Sequence, residues 1–112
     1  MSANLDSFQA IPCVSFNLAS LTGSFQPLNG TGFADNIKIL KIYNGGAVGI
    51  DISYDGVTKH DFWPAGATLI IDFQANHANI ASAPGTLNGR AGQIIYGRTS
   101  STSTHLQIAG YR

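Results

Sequence analysis

The chain has 112 residues, which fits one domain and lets roughly two-thirds of the unfolded surface be buried in one modest core. Six basic and six acidic residues leave a formal net charge of zero, so no electrostatic footprint for nucleic acid or an anionic membrane is visible. Charged residues are 11% against about 25% in ordinary domains. Every acid is Asp, and 13 Gly stand with many Ser, Thr and Asn where helices would carry Glu and Lys.

Residues 1–12 read as a polar arm ending at Pro12, without the basic and apolar regions of a signal peptide. "CVSFNL" (13–18) alternates Val14, Phe16 and Leu18 with polar neighbours and reads as a strand. Cys13 is the single cysteine, so no internal disulfide staples the fold; it reads as an inert packed thiol. Residues 21–33 are Gly-rich and contain Pro27, which suits a short edge strand around 24–28. Asn29-Gly-Thr matches a glycosylation sequon, taken as a chance match in the absence of a secretion signal.

"IKILKIYN" (37–44) is apolar in both phases apart from two lysines, the pattern of a strand covered on both faces or one carrying a bulge near Ile39. "VGIDISYDG" (48–56) places Val48, Ile50, Ile52 and Tyr54 on one side and Gly49, Asp51 and Ser53 on the other. Asp55-Gly56 is the pair expected in a two-residue hairpin turn. The return strand would run 57–63 and end at Pro64-Ala65-Gly66. A strand over 67–73 puts Leu69, Ile71 and Phe73 on one face. Residues 74–93 form a long irregular span, uncommon in a compact domain unless functional or disordered. "IIYGR" (94–98) and "HLQIAGYR" (105–112) close the chain as strands around a polar loop. No apolar run approaches the length of a membrane span. Seven or eight short strands with regular turn signals predict an all-β chain, a single antiparallel β-sandwich of jelly-roll-like or Ig-like type over 13–112.

A two-residue turn at 55–56 would set Asp51 across from His60, a pair able to orient an imidazole if a nucleophile such as Ser53 or Thr58 were in reach. The plainer expectation is a cross-strand polar pair on a solvated face. His60, His77 and His105 share no metal-ligand spacing, and "DISYD" has too few acids for a calcium loop. No glycine-rich phosphate loop leads into a helix. Trp63 is the candidate centre of an aromatic sugar platform with Tyr54, Phe62 and Tyr43, against packing at the core edge beside Pro64. No catalytic residue, metal or cofactor is assigned.

The run "ILKIYNGGAVGIDISYDGVTKHDFWPAGATLIIDFQAN" (39–76), with "NLASLTGSFQPL" (17–28) before it, resembles a module of small bacteriophage virion proteins. In those, a strand ending in Asn leads to an "I-S-x-D-G" strand, a polar run, "P-A-G" and "L-x-x-D". The resemblance covers about half the chain. It implies a non-enzymatic component of a phage particle and no catalytic residue. Asp55, Gly56, Pro64 and Gly66 match as turn formers, Ile52 and Leu69 as core.

The expected function is a homo-oligomeric capsid cement or decoration protein, with a head–tail connector or tail ring as alternative and a carbohydrate-binding module as second alternative. The expected partners are copies of itself and the major capsid, portal or tail proteins, with no nucleic acid and no membrane. The expected location is the virion, assembled in the bacterial host cytoplasm. Phe8 and Ile11 of the arm and His77, Ile80, Leu87 and Arg90 of the long loop are the candidate interface residues.

Overall fold

The computed structural model describes residues 10–73, 87, 89–100 and 107–110. Among them the chain forms β1 (Gln26–Pro27), β2 (Ile39–Tyr43), β3 (Ile50–Ser53), β4 (Asp61–Trp63), β5 (Thr68–Asp72) and β6 (Tyr96–Thr99), after a 3-10 turn at Leu18–Ser20. One sheet has four strands in the order β1-β6-β3-β4; the other pairs β2 with β5. All pairings are antiparallel. The protein is a small antiparallel β-sandwich.

The inner faces follow from the period-two pattern. Ile50 and Ile52 of β3 point inward and are buried with Tyr54, Trp63 and Ile95. Leu40 and Ile42 of β2 and Leu69 of β5 pack onto that cluster from the opposite sheet, joined by Leu18, Leu21, Leu28, Phe33 and Leu87. Burying side chains of this size contributes about 1.5–3 kcal/mol each, so the cluster is the main source of stability. Gly97 of β6 faces Ile52. A Cβ there would come within 2.8 Å of a Leu28 methyl and 3.0 Å of an Ile50 methyl. The missing side chain lets Leu28 and Ile50 meet over the strand.

Asn44 ties the two sheets together. It follows β2 directly, and its buried amide donates to the carbonyls of Val48 (3.1 Å), Trp63 (3.0 Å) and Pro64 (3.2 Å) while its Oδ1 accepts from Gly46 N–H (3.0 Å). Its backbone accepts from Gly66 and donates to Ala67. One side chain therefore fixes the end of β2 against both ends of the β3–β4 hairpin, leaving none of its own polar groups unpaired. A second asparagine does the same for the far loops. Asn29 Nδ2 donates to Gln93 O (3.0 Å) and its Oδ1 accepts from Ile95 N–H (2.9 Å).

Five sequence expectations are corrected. Residues 13–17 form no strand and Cys13 is not packed: Ile11, Cys13 and Val14 are exposed, and the Asn17 side chain accepts from Ala19 N–H and turns the chain into the 3-10 segment. Among the described residues that alternation has no neighbouring strand to satisfy. The β3–β4 connection is no two-residue turn. Asp51 faces Phe62 and Ile52 faces Asp61, so residues 54–60 form a seven-residue loop and only Gly56 has positive φ (+83°). β2 is covered on one face alone, since Ile39, Lys41 and Tyr43 are exposed. Among the described residues six strands form where seven or eight were expected, and 107–110 is not a strand. Most of the 74–93 span lies outside the described residues.

Candidate functional site

The polar residues of the "IDISYDG" stretch do not form a solvated face. Asp51 and Ser53 point away from the core, yet both are buried, at 5% and 0% exposure. Asp51 sits between Arg98 of β6, its register partner, and Phe62 of β4. Arg98 Nε donates to Asp51 Oδ2 at 3.0 Å, and Lys59 Nζ lies 3.1 Å from Oδ1. The lysine contact is an ion pair without hydrogen-bond alignment, because Oδ1 receives no directed bond. Two flanking cations thus compensate one carboxylate that would be costly to bury alone.

The cations are held in turn. The Arg98 guanidinium stacks 4.3 Å from the Phe25 ring centre, Lys59 lies 5.6 Å from that of Phe62, and Lys59 Nζ donates to Gln107 Oε1 at 2.6 Å. A shallow cleft lies beside this network, between His60–Phe62 and Gln107–Ala109.

The loop that follows is built by side chains. The Ser53 hydroxyl donates to Asp55 Oδ1 (2.9 Å) and accepts from Gly56 N–H (2.9 Å). Asp55 Oδ1 also accepts from the N–H groups of Val57 and Thr58, each at 2.8 Å. Those backbone donors from Thr58 and Val57, with the Ser53 hydroxyl and nearby His60, hold the Asp55 carboxyl well below the usual carboxylate range. His60 Nδ1 accepts from Tyr54 N–H (3.0 Å), its ring stacks on Tyr54, and its Nε2 is 3.8 Å from Asp55 Oδ2.

Ser53, Asp55 and His60 are therefore brought together, but as a loop clamp. Ser53 has no access to solvent and spends its proton on Asp55, and His60 Nδ1 is occupied by the backbone. The expected Asp51–His60 pair does not form; Arg98, 47 positions along the chain, takes that place. Nothing local in the sequence links the two.

The remaining candidates separate clearly. Gly56 and Gly66 (φ +83° and +74°) occupy backbone conformations that favour glycine, and Pro64 O accepts from Ala67 N–H to close the turn around Gly66. Trp63 is 4% exposed and belongs to the core, so it offers no sugar platform. Ile11 is exposed, as is Arg90. Leu87 is partly buried and packs against the core cluster. Phe8, His77, Ile80 and His105 lie outside the described residues. Among the described residues no group of three or more His, Cys or carboxylate side chains is placed to hold a metal.

The unexpected surface is the outer face of β2–β5. Tyr43 is 70% exposed, Ile70 67% and Ile39 41%. With Lys41, Thr68 and Asp72 they form two rows of outward side chains in direct register. No protein-family model, curated protein or solved structure matches the chain.

Proposed function

We propose that the chain is a structural subunit of a bacteriophage particle, a homo-oligomeric cement or decoration protein that stabilises the capsid. It does so by contacts among its copies and with the major capsid protein. The observation that carries the proposal is the apolar outer face of β2–β5, left open in a protein with few charges. Contiguous exposed apolar surface marks an interaction site, and a scarcity of Lys and Glu lowers the cost of desolvating it.

Two further features support the proposal. The residues shared with the phage module act as scaffold: Asn44, Asp55, Pro64 and Gly66 each close a turn or clamp a strand end. Beside the sandwich, residues 10–15 run exposed, with Ile11 and Val14 open to solvent, a segment suited to lie on a neighbour.

The test is to purify the particle and count the chain by quantitative mass spectrometry, then add it back to particles that lack it. Cement function predicts hundreds of copies and a raised capsid melting temperature. A count of about six or twelve would replace it with a neck or tail ring. A chain absent from the particle overturns the reading.

A further inference from the structure

We propose that the outer face of the β2–β5 sheet is a contact between two copies of this chain, packed face to face about a two-fold axis. The inference rests on the assembly reading above and names the surface and the partner.

The strand register defines the face. Ile39 stands beside Asp72, Lys41 beside Ile70, and Tyr43 beside Thr68. The alternate residues, Leu40, Ile42, Leu69 and Ile71, point inward and are at least partly buried. Apolar residues thus occupy both phases of β2, as in strands covered on both sides, but the fold covers only one.

The charges on this face suit a second copy of itself. It carries one cation, Lys41, and one anion, Asp72, diagonal to each other across the two strands. A two-fold axis running along the strands lays β2 of one copy over β5 of the other. Each Lys41 then meets Ile70 and Asp72 of its neighbour, and like charges are kept apart. A face of single sign would repel itself; this one is complementary to itself, as an isologous interface requires.

Size sets the strength. Strands of five residues are about 17 Å long, so the face alone falls well short of the roughly 800 Å² per partner of a standard interface. Association of the isolated chain is accordingly weak. It becomes strong when many copies are held side by side and further contacts add to it.

Sedimentation equilibrium of the full chain up to about 1 mM, the range expected for a contact this small, tests the inference. The wild type should associate reversibly. Ile70→Lys should weaken association by about tenfold or more, because it sets a cation against the neighbouring copy's Lys41, with an unchanged circular dichroism spectrum. Lys41→Asp and Asp72→Lys should each associate less than wild type alone, yet bind each other when mixed, since each then presents the opposite sign.

Wild-type association unaffected by these substitutions would overturn the inference and leave the assembly reading standing. So would a wild type that stays monomeric throughout, with particle binding then measured separately. An Ile70→Lys chain that no longer folds as a monomer would mean that the face is covered within the chain, which also overturns it.

Discussion

The two sheets treat their outer faces in opposite ways. On the four-stranded sheet the outward residues Asp51 and Ser53 are polar and buried, roofed by Arg98, Lys59, Phe62 and the 54–60 loop. On the two-stranded sheet the outward residues Ile39, Tyr43 and Ile70 are apolar and exposed. A reading of polarity alone assigns these the other way round. What decides burial is whether the chain supplies a cover, and the cover for Asp51 comes from distant long side chains that lie flat on the sheet. The cost of burying a carboxylate is offset by two cations, whereas the open apolar face has no such compensation within the described residues.

Substitutions can break or sharpen that contrast. The largest effect is expected where the two regions join. Asn44→Ala removes the donor for three carbonyls and should cost about 3 kcal/mol in urea unfolding. A loss below about 1 kcal/mol would show that water replaces the amide and that the sheets are not coupled through it. Next, Arg98→Met removes the guanidinium over Phe25 and leaves Asp51 with Lys59 alone; a loss of about 2 kcal/mol is expected. Because the Asp51 carboxylate is buried, most of that loss should persist at high salt. A loss that vanishes in 1 M salt, where screening acts within about 3 Å, would mark the cluster as an ordinary surface ion pair.

Acid should act on the covered side first. The Asp55 carboxyl is lowered in the folded state by backbone donors, so the unfolded chain binds its proton at higher pH than the native one. The stability it contributes is fully present above the unfolded carboxylate range, near pH 4. It is lost progressively as pH falls toward the lowered native value. Asp55→Asn should lower the melting temperature at neutrality, converge with the wild type in acid and so flatten the decline below that pH; an unchanged acid limb would show that other carboxylates carry it. The smallest effect on stability belongs to the open side. Ile70→Lys should alter unfolding free energy by no more than about 1 kcal/mol in chemical denaturation of the dilute chain, so that its main consequence appears in association.

The alternation in 48–54 and 67–73 was enough to place Ile50, Ile52, Tyr54, Leu69 and Ile71 on inward faces, because period-two burial is a local property of a strand. The turn residues were legible for the same reason: Gly56 and Gly66 adopt the positive φ that their positions suggested. Register was not. Asp-Gly pointed to a two-residue turn, but Ser53 and Asp55 offer the backbone side-chain oxygens that stabilise a longer loop, and local side-chain acceptors compete with the ladder. The Asp51–Arg98 pair was hidden because partners separated by 47 positions meet only once β3 and β6 are known to be neighbours. The 13–18 segment misled because alternation is necessary for a sheet and not sufficient; among the described residues it has no strand to pair with.

Asn29 carries a consequence for producing the protein. Its amide nitrogen donates to Gln93 O while its oxygen receives Ile95 N–H, so the very nitrogen to which an oligosaccharide would attach is already engaged by the second half of the chain. In a eukaryotic secretory host, sugar transfer to Asn29-Gly-Thr would have to precede the arrival of residues 93–95. Glycosylated molecules would carry a bulky group where a loop must close, and material from such cells would divide into a folded, sugar-free fraction and a misassembled, heavier one. Bacterial expression avoids that division altogether.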